Sequence, residues 1–179
     1  MSQGPHHKLE DLFQQCFFSE YRTHLRGAAP EPLYQPASWP QHCHTIHYRE
    51  DFFASALHEV AHWCIAGSRR RLLTDYGYWY HPDGRGRAQQ RQFEQAECKP
   101  QALEWHFALA CQWPFRLSSD NLAAGEGDNS GFAEAVRSRA QRYCSTGLPP
   151  RAVRFRAALA AGFAGIAEPR PTDFRSVSA

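Results

Sequence analysis

A glutamate stands between two histidines, His58-Glu59-Val60-Ala61-His62, inside an apolar run that opens at Phe52-Phe53-Ala54-Ser55-Ala56-Leu57. On a helix, residues four apart lie one above the other on the same face. The neighbours Leu57, Ala61, Trp63 and Ile65 are residues that pack a core, so the chain must fold with this helix pressed inward. Burying Glu59 there is costly unless the carboxylate is paired or used. Two imidazoles one turn apart can grip a single metal ion, with Glu59 directed toward that ion or its bound water.

The 179 residues suit one domain, taken here as 1–179, with fraying from Glu168 onward. Hydrophobic residues make up 42% and aromatics 13%, enough for a packed core rather than a disordered chain. A net charge of +2 carries no general nucleic-acid signal. Arg151, Arg154, Arg156, Arg170 and Arg175 make the C-terminal part more basic, which reads as a solvated surface. The longest apolar stretch, around Ala157 to Ala167, is interrupted by two glycines and is too short to span a bilayer. Residues Met1 to Glu10 hold no apolar signal core, and the six cysteines form no C-x-x-C pair. Free thiols in a reducing cytoplasm are the expectation.

Leu9, Leu12, Phe13, Cys16, Phe17 and Tyr21 recur at helical spacing and predict a first helix from about Lys8 to Leu25, stopped by Gly27. Four prolines between residues 28 and 45 favour extended backbone and turns, and Thr45 to Tyr48 reads as a short strand. The histidine helix is expected over Asp51 to about Ala66, with Arg69-Arg70-Arg71 complementing its dipole at the C-terminal end. Alternating aromatics from Tyr76 to Tyr80 predict a strand, and Pro82-Asp83-Gly84 a turn. A third helix runs from about Ala88 to Gln112, and Pro100 should kink it or divide it near Cys98. Residues 118–131 read as a surface loop, followed by helices over Phe132–Tyr143 and Pro150–Phe163.

The third helix carries Glu94, Glu97, Gln101 and Glu104 at spacings of three, four and three, which places them on one face. Glu97, central in the row and just before Pro100, is the preferred third metal ligand; Glu94 and Glu104 are the alternatives. A second group, His42, His44 and His47, and the terminal pair His6-His7 read as surface histidines without a ligand. Two imidazoles and a carboxylate serve zinc in hydrolases, with Glu59 as base, and ferrous iron in oxygen-activating enzymes. Ligand type alone leaves both open.

Three stretches in order along the chain carry a resemblance. They are Phe53 through Gly67, then Asp75-Tyr76-Gly77-Tyr78-Trp79-Tyr80 with Pro82-Asp83-Gly84-Arg85, and Phe93-Glu94 through Glu97 with Lys99-Pro100-Gln101-Ala102-Leu103. Together with the opening helix and Asp120-Asn121-Leu122 they resemble the bacterial elongation factor P hydroxylase family. The resemblance implies a non-haem monooxygenase that uses Fe(II) and dioxygen to hydroxylate a lysine of elongation factor P, a lysine usually already extended by a β-lysyl group. It implies an α+β, helix-rich domain with a small sheet and a metallopeptidase-like metal helix, His58, His62 and Glu97 as ligands, and Glu59 at the edge of the site. On that reading, Tyr78, Trp79 and Tyr80 offer rings to a lysine-type cation, Asp83 an ion-pair partner, and Arg85 with Arg69–Arg71 a dock for an acidic protein. The partner would be elongation factor P, with no membrane or direct nucleic-acid contact. The competing readings are a zinc peptidase with Glu59 as general base and a non-enzymatic translation-factor binder with a structural metal. The electron donor and oligomeric state are not legible in the sequence.

Overall fold

The computed structural model describes residues 4–40, 42–75, 86–118 and 130–175. Helix α1 (Pro5–Tyr21) begins with a proline whose fixed φ suits a first helical turn. It buries Leu9, Phe13, Cys16 and Phe17 and ends at Arg22, which is left-handed (φ 47°) and returns its N–H to the Phe18 carbonyl. The predicted helix therefore stops short of Leu25. Leu25 falls four residues after Tyr21 and so fits the helical stripe, yet it lies on the buried side of strand β1 (Thr23–Ala29). Gly27 belongs to this strand too. A Cβ there would come within 2.6 Å of Asp51 Oδ1 and 2.8 Å of the Tyr48 ring, so glycine permits a close approach rather than stopping a helix.

Strands β2 (Leu33–Gln35) and β3 (His44–Arg49) complete a sheet of order β1-β3-β2. Central β3 runs parallel to β1, with Leu25 opposite Ile46, and antiparallel to β2, with Tyr34 opposite Ile46. Ile46 and Tyr48 point into the core. Glu10 ties α1 to the sheet, its Oε1 accepting from the Gly27 amide (3.0 Å) and the Tyr48 hydroxyl (2.9 Å).

Helix α2 (Phe53–Ile65) packs on β3 and on α3 (Arg87–Ala110). Pro100 lies inside α3 and does not divide it. A proline in a helix interior costs about 3 kcal/mol; burial of Ala102, Leu103, Phe107 and Ala110 on the following turns offsets that cost. Helices α4 (Ser130–Thr146) and α5 (Pro150–Phe163) follow. The main core is aromatic: Trp63 lies 4.9 Å from Phe17 and 5.3 Å from Phe13, and Phe107 meets Phe155 edge-on at 5.2 Å. A smaller core joins α3 and α4 through Ala102, Trp105, Phe132, Val136 and Ala140. Phe174 is part of it, 5.4 Å from the Trp105 ring and 4.6 Å from His106. The expected fraying from Glu168 thus does not extend through Phe174, because an aromatic side chain anchors that segment.

The cations after α2 act on its C-terminus as expected, with a partner the sequence did not indicate. Arg71 donates to the Ala66 carbonyl (2.8 Å), and Arg151 from α5 donates to the carbonyls of Trp63, Cys64 and Ala66. Arg70 pairs instead with Asp75 (2.7 Å). Among the described residues, no helix is long and apolar enough to cross a membrane.

Candidate metal centre

The helical period of α2 brings the Nε2 atoms of His58 and His62 to 3.0 Å from each other, on the side facing α3. Glu97 of α3 meets both: its Oε2 lies 3.3 Å from His58 Nε2 and its Oε1 3.3 Å from His62 Nε2. One ligand atom from each of the three side chains lies within 4.8 Å of the others, and this is the one such group among the described residues. Glu104, two helical turns beyond Glu97, stands behind His58 and accepts from its Nδ1 at 2.8 Å. That bond leaves Nε2 free to face Glu97 and His62, the arrangement by which a carboxylate orients a metal-binding imidazole. Glu104 thus lies outside the group of three and holds the ring of His58 from its far nitrogen.

The other members of the acidic row point elsewhere. Glu94 accepts from Gln90 (3.0 Å) and lines a separate groove between α3 and α4. Gln101 clasps the Ser118 backbone, donating to its carbonyl (2.7 Å) and accepting from its amide (3.1 Å). Of the second histidine group, His44 stacks on Tyr34 and accepts from the Ala37 amide (3.0 Å). The expected substrate residues Tyr78, Trp79, Tyr80, Asp83 and Arg85, like Asp120-Asn121-Leu122, lie outside the described residues.

The electrostatics of the centre call for positive charge. Glu97 and Glu104 are buried, at 6% and 8% exposure, and Glu59 is half-buried beside them. Burial pushes the Glu97 carboxyl up, but hydrogen bonds from His58 and His62 overcome it and hold the group well below the usual carboxylate range. Burial opposes charge on His58 as well; its hydrogen bonds to Glu104 and Glu97 prevail and hold it well above the ordinary imidazole value. For Glu104 burial outweighs the bond from His58, and for Glu59 it outweighs the nearby histidines, so both carboxyls are pushed up. Three carboxylates face two imidazoles, and among the described residues no lysine or arginine pairs with any of them. A divalent cation fits both this donor set and its excess negative charge.

A cavity of about 390 Å³ opens beside the centre, with Glu59, His62 and Glu97 in one part of its lining and Tyr34, Arg70 and Asp75 in another. Backbone bonds between Tyr34 and Asp75 (2.7 and 3.0 Å) hold the segment after α2 against β2 at this cavity. Tyr34, Asp75, Lys99 and the carbonyl clamp of Arg151 were not singled out from the sequence as parts of the site. For Glu104 a signal existed, since seven residues is two turns on the face of Glu97. For Arg151 none did.

Residues 12–172 match the family model described as elongation factor P hydroxylase. The elongation factor P lysine hydroxylase of Haemophilus influenzae is 48% identical over 158 residues, covering 87% of this chain and 89% of that protein. With both comparisons running through the helices that carry His58, His62 and Glu97, the chain belongs to the elongation factor P hydroxylase family.

Proposed function

We propose that this protein hydroxylates a lysine side chain of elongation factor P, one already lengthened by a β-lysyl group, as an iron-dependent monooxygenase of the cytoplasm. The observation that carries this reading is the convergence of His58, His62 and Glu97 at one edge of a cavity, in a chain of this family. Two imidazoles and one carboxylate occupy three positions of a metal and leave the others open, the donor set of ferrous oxygen-activating enzymes. When bound, Fe(II) would supply the activation of dioxygen.

The protein's own residues prepare that chemistry. Glu104 fixes the ring of His58 through Nδ1, so the ligand nitrogen is presented without a search among tautomers. Glu97 bridges the two histidines and brings the negative charge that favours a divalent ion over a proton. Arg71 and Arg151 hold the carbonyls at the end of α2 and so hold the turn that carries His62. The reaction places one oxygen atom on a side-chain carbon and the other in water, with two electrons and two protons from an external reductant. Asp75 lines the cavity, and the Tyr78-Trp79-Tyr80 and Asp83–Arg85 stretch follows it closely in the chain; this adjacency supports a role for those residues in gripping the cationic substrate.

Mass spectrometry of elongation factor P, incubated with the protein, Fe(II), a reductant and dioxygen, should show one added oxygen atom on the modified lysine. Turnover that persists with zinc and without oxygen would overturn the proposal in favour of a hydrolase with Glu59 as base.

A further inference from the structure

Glu59 is the carboxylate of the centre that neither touches a histidine nor supports one. It projects from α2 into the cavity beside His62 and Glu97, and among the described residues it makes no hydrogen bond or salt bridge. The nearby cations do not pair with it: Arg70 is held by Asp75, Arg71 by the Ala66 carbonyl, and Lys99, which also lines the cavity, forms no salt bridge to it. A partly desolvated carboxylate without a partner is costly. Ile46, Ile65, Ala96 and Pro100 supply apolar wall to the same cavity. At about 390 Å³ it has room for a long aliphatic side chain.

We propose that this cavity is a primary-amine subsite, in which Glu59 receives the terminal ammonium of an extended cationic side chain while Ile46, Ile65 and Pro100 pack its methylenes. The ammonium supplies both the charge and the N–H donors that Glu59 lacks. An amine fastened next to His58 along α2 sets which carbon of the chain lies over the histidine pair, so the subsite governs the position of attack as well as affinity. The proposal rests on the lysine-modifying reading above, and it differs from a general-base role, which would act on charged and neutral substrates alike.

The test is binding without turnover. Iron-loaded full-length protein under anaerobic conditions is titrated by calorimetry with elongation factor P in two forms, one with the free amine on the modified lysine and one acetylated there. The wild type should bind the free amine about tenfold more tightly or better, as expected for a charge-assisted, partly desolvated pair. Glu59→Gln should bind both forms equally, the loss falling on the amine form, with metal content and Tm unchanged. A Glu59→Gln variant that keeps the wild-type preference, or a wild type with no preference, would overturn the subsite. A wild type that prefers the free amine yet adds no oxygen would leave the subsite standing and sink the hydroxylase reading instead.

Discussion

Two histidines that face the interior, His58 and His106, are held in opposite ways. His58 sits between Glu97 and Glu104, with a carboxylate on each ring nitrogen, and is held well above the ordinary imidazole value. His106, in the smaller core, donates from Nε2 to the Ala140 carbonyl (2.9 Å) and leaves Nδ1 with no partner. Burial there drives it down to about 4, so it stays neutral. His58 faces inward from α2 and His106 from α3, so facing the core does not by itself set the charge of an imidazole. The number of carboxylates aimed at the ring does.

The contrast breaks most visibly through loss of function. On the proposed reading each of His58→Ala and Glu97→Ala removes a ligand, and each should lower oxygen transfer to elongation factor P by at least about 1,000-fold and strip bound iron. His106→Leu should leave iron content near wild type. Mass spectrometry of the factor and metal analysis of the purified variants check both. An active His58→Ala enzyme would erase the distinction drawn between the two sites.

Next in size is the acid response of stability, to which His106 contributes. Its folded pKa lies below the unfolded value of 6.5, so the unfolded chain binds the extra proton between those values and the native state does not. The stabilisation is therefore present above about pH 6.5 and is lost as pH falls toward 4, on the order of 3 kcal/mol in all. Urea unfolding of metal-free protein across that range should show the slope, and His106→Leu should make it shallower.

Glu104→Ala sharpens the comparison further. It takes away the support of His58, and on the proposed reading should weaken iron affinity about 10- to 100-fold while Glu104→Gln, which still accepts a hydrogen bond, recovers part of the loss. Competition against a chelator measures both. Smallest is Arg151→Ala, which removes a donor from the Trp63 and Cys64 carbonyls and leaves Ala66 to Arg71 alone; it should cost about 1–2 kcal/mol, read as a fall of roughly 2–8 °C in Tm.

Much of the centre was legible in the sequence because helices make spacing into geometry. His58 and His62 needed only the four-residue period, and Glu97 emerged from a row whose members share a face. What spacing does not carry is which member of the row turns toward which neighbour: Gln101 went to Ser118 and Glu104 to His58, choices made by the tertiary surroundings, while Glu94 kept a partner one turn away on its own helix, Gln90. The boundary of α1 was misplaced for a related reason. Leu25 satisfies both a helical and a strand pattern, and the left-handed turn at Arg22 that decides between them has no apolar signature. Pro100 likewise reads locally as a break, whereas the buried turn after it keeps α3 whole.

The reach of Arg151 has a consequence in time as well as space. The residues of the candidate centre all precede Glu104 or coincide with it, whereas the guanidinium that closes the end of the helix bearing His58 and His62 belongs to α5. A chain made from its N-terminus therefore completes these side chains well before it completes the clamp on α2. Until the last helix docks, the turn bearing His62 has only Arg71 at its end, so the rigid form of the site is a property of the finished molecule.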